Sequence, residues 1–137
     1  PTIIEAFIES YYQTKDIDTI VSFVRQRISR QICENYINND GKLYLMAVKE
    51  EDDINVNSHN GVNILSMPYE WQVNFLERLK KEKEDARALK IDPVLVVQRP
   101  ELRPALSKVL ESFEADTPII SVYELPINVK NKVIANI

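Results

Sequence analysis

The side chains suited to chemistry are few, and their spacing decides what they can do. Arg99 and Arg103 flank the turn QRPEL, directly after the apolar run PVLVV. The turn after a parallel strand is the usual ligand site of an α/β fold. Two arginines at a helix start could grip a phosphate or another anion there. That turn contains no glycine, and a backbone that must approach a pyrophosphate needs one. The plainer expectation is that Arg103 pairs with a nearby carboxylate and Arg99 is exposed. His59 is the only histidine, in a polar loop beside Ser58 and near Asp52 and Asp53. A His-Ser-Asp nucleophilic set needs rigid placement, which such a loop does not give. One histidine among carboxylates also lacks the ligand spacing of a structural zinc site. The acidic run at 50–53 lacks the alternating oxygen ligands and the glycine of a calcium loop. Cys33 falls near the C-terminal end of a helical stretch, where the dipole disfavours a thiolate. These residues predict no catalytic group, no metal and no cofactor.

Arg25, Arg27 and Arg30 are the most suggestive polar group. At helical spacing Arg27 and Arg30 project to nearly the same side, and Arg25 points elsewhere. They form salt bridges within the domain or contact another subunit, and the internal role has the edge.

The elements that must position these residues are bounded by composition. A chain of 137 residues makes one domain, or one small domain plus an extra piece. Nearly half of it is apolar, enough for a core that removes roughly two thirds of the unfolded surface from water. No apolar run approaches the ~20 residues of a membrane span, and no signal peptide is visible. The first residue is Pro1 and not Met, which suggests a piece of a longer protein. The net charge of −4 argues against nucleic acid as a partner. The single cysteine permits no internal disulfide and fits a reducing compartment. Only Gly41 and Gly61 are available for phosphate-cradling loops.

Two helices open the chain. In PTIIEAFIESYYQT, residues Ile4, Phe7, Ile8, Tyr11 and Tyr12 recur at helical spacing, with Thr2 and Glu5 as a capping box. Asp16 or Asp18 caps a second helix over about 18–38, with Ile20, Val21, Val24, Ile28, Ile32 and Tyr36 on one face. Asn38 to Gly41 stop it with turn chemistry. Two amphipathic helices need their apolar stripes covered, by the rest of this chain, by an N-terminal part or by a neighbouring chain.

From residue 42 the pattern changes. KLYLMAV is apolar on both faces, as a buried strand is. KEEDDINVNSHN reads as a loop and GVNILS as a short strand. Pro68 opens a third helix to about residue 90, with Trp71, Phe75, Leu76, Leu79 and Ala86 turned inward. Its outer face carries Glu77–Lys81, Arg78–Glu82 and Lys80–Glu84 at i, i+4. PVLVVQ, a helix with Leu102, Ala105, Leu106, Val109, Leu110 and Phe113 in its stripe, and PIISVYEL make a β-α-β unit. Pro104 suggests a tight first turn at PELR, because an interior proline costs about 3 kcal/mol. NVKNKVIANI returns as an edge strand carrying Lys130 and Lys132. The fold class is therefore α/β: a small β-α-β sandwich with a mostly parallel sheet, preceded by a two-helix segment.

Two stretches also resemble a known family. DIDTIVSFVRQRISRQICENYINNDGKLYLMAV is similar to a family helix reading "VR…L.RQI", followed by a glycine-containing turn and a strand. PVLVVQRPELRPALSKVLESFEADTPIISVYELP is similar to a strand, then "PE.R", a helix, and a strand ending in "E.P". Both occur in this order in the type III secretion export-gate family, that of FlhA, LcrD and InvA. The resemblance covers about residues 2–48 and 92–126, and residues 49–67 depart from the family pattern.

The resemblance implies a non-enzymatic scaffold. Family members join an N-terminal inner-membrane part to a cytoplasmic part of four subdomains, which assembles into a homo-oligomeric, typically nonameric ring. That ring receives export substrates, chaperones and gatekeeper proteins beside other components of the export apparatus. Residues 1–40 would be the end of the helical third subdomain, and 41–137 the α/β fourth subdomain. The membrane-embedded full-length protein would hold this part on the cytoplasmic side, in a virulence injectisome rather than a flagellum. Candidate ring contacts are Arg27 and Arg30, with the face of Ile4, Phe7, Ile8 and Tyr11. Two alternatives stand beside it: an anion- or nucleotide-binding domain using Arg99 and Arg103, and a stand-alone adaptor docking through its edge strand near 129–135.

Overall fold

The computed structural model describes Ile3, Glu5 and residues 16–115 and 117–137. The expected first helix, with Ile4, Phe7, Ile8 and Tyr11, therefore lies outside the described residues apart from Ile3 and Glu5, both helical and exposed.

The second expected helix is two. Helix α1, Ile17–Arg27, is capped by Asp16, whose side chain accepts from Thr19 N at 3.0 Å. At Ile28 the backbone leaves the helical region (φ −113°, ψ 27°), and α2, Ser29–Glu34, follows as a separate helix. Within α1 the buried face differs from the expected stripe: Ile20 and Ser22 are buried while Val21 is exposed. Gly41, at φ 79°, then swings the chain into β1, Lys42–Ala47.

A four-stranded sheet forms the centre, in the order β5-β4-β1-β6, with every neighbour parallel. Strand β4 is Val94–Val97, β5 is Ile119–Ser121 and β6 is Lys130–Asn136. The two apolar runs, KLYLMA and VLVV, occupy the central places. Only a strand covered on both faces keeps such a composition out of water. One face carries Met46, Leu95 and Val97 against α3, Tyr69–Ala88, and α4, Leu102–Ser112, through Phe75, Leu79, Leu102 and Leu106. The opposite face carries Leu43, Leu45, Val94, Val96 and Ile120, and α2 closes it with Ile32 and Cys33, joined by Tyr36 from the turn that follows. The rest of this chain thus covers the stripe of α2.

Edge strand β6 is lysine-bearing as expected, with Lys130 and Lys132 exposed. The backbone of Ile137 continues its ladder: its N–H donates to the Ala47 carbonyl (2.9 Å), and its carbonyl accepts from Lys49 N (2.7 Å).

Residues 49–67 hold more structure than a loop. A 3-10 turn at Glu51–Asp53 precedes a hairpin of β2, Val56–His59, and β3, Val62–Leu65. Asn60 and Gly61 link the strands with φ of 52° and 78°, the doubly positive pair of a tight hairpin turn. Strand β2 is missing from the sequence reading, although Asn-Gly between VNSH and VNIL is its signal.

Pro104 is the third residue of α4, where no N–H is needed for an intrahelical bond. The turn ahead of it is tight, with Leu102 N donating to Arg99 O (3.0 Å) and Arg103 N to Pro100 O (3.3 Å).

Candidate functional site: a buried ionic junction

The polar residues of the recurring patterns gather where α1 meets the sheet. Glu124 belongs to a short 3-10 turn, Val122–Glu124, that ends β5, and is fully buried. Arg25 reaches it from α1: Nε donates to Oε2 at 2.6 Å and Nη2 to Oε1 at 3.2 Å. Nη2 also donates to the Ile119 carbonyl at 3.3 Å. Ser121 N adds a bond to Glu124 Oε1 (2.8 Å), so the carboxylate is held from two sides. Cys33 Sγ donates to the Glu124 carbonyl at 3.4 Å. Burial and the neighbouring Glu124 charge push the Cys33 thiol pKa up, partly offset by Arg25. Arg103 looks into the same region from α4 with a buried Nε that has no hydrogen-bond partner. Burial and the charge of Arg25 lower its guanidinium pKa, while Glu124 and Asp18 raise it.

Thus the arginine of "VR", the arginine of "PE.R" and the glutamate of "E.P" meet in space. A buried, hydrogen-bonded ion pair fixes geometry more than it adds net stability, and stranding one partner is costly. The arrangement is a joint. It has no free nucleophile and no positioned acid–base pair open to solvent.

A second clasp holds the start of α1. Asp18 Oδ2 accepts from Asn63 N (2.5 Å) and from Lys108 Nζ (3.2 Å), and Lys108 Nζ also donates to the Asn63 carbonyl (2.9 Å). Asp18 N donates to the Gly61 carbonyl at 3.0 Å. The hairpin thus seats the helix.

The QRPEL turn holds an anion of the chain's own. Both Glu51 carboxylate oxygens accept from Gln98 N at 2.9 Å, and Oε1 also accepts from Arg99 N at 2.7 Å. Arg99 Nη1 donates to the carbonyls of Glu51 (2.8 Å) and Ile54 (2.7 Å), and Nε to Glu101 Oε1 (2.9 Å). Arg99 is therefore half-buried and spent on the 3-10 turn rather than exposed, and Arg103 lies among the charges of Arg25, Glu124 and Asp18 with its Nε unpaired rather than bonded to a carboxylate. The structure does not bring the two arginines together.

The other candidates are scattered. His59 is exposed at the end of β2, and Cys33 is buried. Of the acidic run only Glu51 turns inward. No cluster that could hold a metal ion exists among the described residues. Arg27 and Arg30 are both exposed, Arg27 with its guanidinium over the Phe23 ring at 5.2 Å. A groove of about 450 Å³ between α3 and the end of α4 lies away from the junction, lined partly by Leu76, Lys83, Phe113 and Thr117. The sequence places Arg25 in a group of three arginines with internal salt bridges favoured, and Arg25 makes such a bridge; it gives Glu51 only a place in an acidic loop and Glu124 no partner. Arg25 had the clearest signal, being three residues after Ser22 on the face that α1 buries.

Comparison with known proteins places this geometry in a family. The model of the FHIPEP family matches residues 1–130. The low calcium response locus protein D of Yersinia pestis is 27% identical over 128 residues, covering 90% of this chain. That of Yersinia pseudotuberculosis matches equally. This chain spans 18% of the length of these curated relatives. Among solved structures, nonameric SctV-C of EPEC superposes with a TM-score of 0.79 at 19% identity, over 98% of this chain and 41% of that one. Shigella flexneri MxiA gives 0.75 at 22%, over 98% and 45%. The C-terminal domain of InvA gives 0.74 at 23%, over 98% and 43%. The mostly parallel α/β fold is shared with all three. With matched sequence patterns converging on one structural joint, the chain belongs to the FHIPEP family, the family of the type III export gate.

Proposed function

We propose that this chain is a non-enzymatic scaffold in the C-terminal part of an export gate, working through protein–protein contacts. In this reading it forms part of a homo-oligomeric ring. It also takes part in docking and translocation of export substrates, their chaperones and gatekeepers. The longer protein is held in the bacterial inner membrane, and this part faces the cytoplasm. The observation that carries the reading is the use made of the pattern residues. Arg25 and Glu124 bind α1 to the sheet, and Glu51 stoppers the turn where an α/β enzyme would take its ligand. What remains for function is surface.

The helical segment at 1–40 and the α/β unit at 41–137 would be the ends of two successive subdomains. Self-assembly is supported by one structural neighbour, the nonameric SctV-C. The proposed contacts are Arg27 and Arg30, together with Ile4, Phe7, Ile8 and Tyr11 outside the described residues. Reversing both charges, Arg27→Glu with Arg30→Glu, in the intact cytoplasmic part tests this. We expect a smaller fraction of rings by analytical ultracentrifugation and reduced secretion. Unchanged assembly removes both arginines from the interface. The rival anion-binding reading requires a ligand to displace Glu51. Titrating inorganic phosphate while following the Gln98 and Arg99 amide resonances decides it, and we expect no shift at millimolar phosphate.

A further inference from the structure

Glu124 shares its surroundings with two cations that belong to different parts of the molecule, one bonded to it and one coupled to it through charge alone. Arg25 comes from the helical segment and makes the observed bonds. Arg103 stands on the first turn of α4, which packs against β5, the strand that leads directly into Glu124. Its Nε is buried and without an acceptor. A buried guanidinium N–H lacking an acceptor is unfavourable, so its persistence there needs a reason. We propose that Arg103 is the reserve partner of Glu124, taking over the carboxylate when Arg25 and α1 leave their seat.

The exchange keeps the costly group satisfied in both arrangements. With α1 seated, Arg25 holds Glu124 and Arg103 stands idle. With α1 lifted, Arg103 holds Glu124, and Arg25 goes to water, where its charge is readily solvated. No buried carboxylate is stranded at either end, which is the event that makes loss of one partner so damaging. The other charged groups facing this region are Asp18, tied to Asn63 and Lys108, and the Cys33 thiol. Neither Asp18 nor Cys33 supplies a further cation. The inference rests on no part of the export-gate reading.

The test is a double-mutant cycle on the 137-residue chain, using Arg25→Met, Arg103→Met and both together, with folding constants from urea unfolding. Each single change is expected to lower the constant less than about tenfold. The double change is expected to lower it by roughly two to three orders of magnitude, the usual penalty for a stranded buried charge. Adding Glu124→Gln to the double variant should restore most of the loss. In parallel, the Arg103 Nε–Hε resonance should move and become protected from exchange in Arg25→Met. Additive single effects, or an unmoved Arg103 resonance, overturn the proposal. So does an Arg25→Met chain that fails to fold while Arg25→Lys folds, since the reserve cation has then failed to serve.

Discussion

At the scale of single residues, the turn after β4 is satisfied internally. Glu51 accepts two backbone N–H groups there, and the carbonyls of its own 3-10 turn are held by Arg99. Glu51→Ala should cost about 1–3 kcal/mol, the usual consequence of leaving buried donors unmet. Glu51→Gln should cost less, because its amide oxygen still accepts; urea unfolding distinguishes the two. Cys33 supplies a pH test. Its thiol pKa is raised in the folded chain, chiefly by burial. The folded state therefore keeps a proton that the unfolded state releases. The contribution is complete below the unfolded thiol value and fades as pH rises from that value through the folded one. Stability should fall over this alkaline window in the parent and less so in Cys33→Ser. The native thiol should also resist Ellman's reagent until urea unfolds the chain. The internal role of Arg25 was legible from its place on the helix, apart from Arg27 and Arg30, but its partner was not, because Glu124 lies 99 residues further along the chain.

At the scale of elements, the hairpin and the start of α4 show how local chemistry places larger pieces. Gly61 needs its positive φ, and a Cβ there would stand 3.1 Å from the Ile17 backbone nitrogen. Gly61→Ala should cost about 1–2 kcal/mol from conformation alone, and more as α1 is pushed off its seat. A thermal melt of the variant against Gly61→Asn separates the parts, since asparagine tolerates the conformation better but meets the same wall. Pro104 makes the opposite case. Because it sits where no N–H bond is lost, Pro104→Ala should destabilise by about 0.4–1 kcal/mol rather than relieve strain. The sequence reading placed this turn well from the rule for proline. The central strands were equally legible, since β1 and β4 carry apolar residues on both faces. Of the hairpin only β3 was legible, because polar Asn57, Ser58 and His59 hide a second strand that touches the core through Val56 and is otherwise held by its partner. The helix break at Ile28 was also hidden, since an apolar residue at a regular position carries no stop signal.

At the scale of the whole molecule, the fold is a sheet closed on both faces, by helices that precede its first strand on one face and by helices that fall between its strands on the other. One layer, α3 and α4, was expected from the β-α-β pattern. The other, α1 and α2, was an open question in the sequence; α2 lays Ile32 and Cys33 on the sheet and Glu124 ties α1 to it, while Ile17 and Val21 of α1 stay exposed. Strand β6 completes the sheet by pairing with β1 along its length. Deleting residues 128–137 should therefore abolish cooperative unfolding and leave a broad denaturation profile with exposed apolar surface, read by dye binding. A sharp, parent-like transition would mean that β6 is an ornament.

The same pairing sets an order of events during synthesis. β1 emerges from the ribosome early, but its neighbours on both sides, β4 and β6, are made later, and β6 is made last. Until then a nascent chain carries an apolar ribbon with an open flank, the kind of surface that attracts chaperones or other copies of itself. A pause in translation ahead of residue 130 should thus be the moment of greatest hazard, and release of the final strand from the exit tunnel the step that ends it.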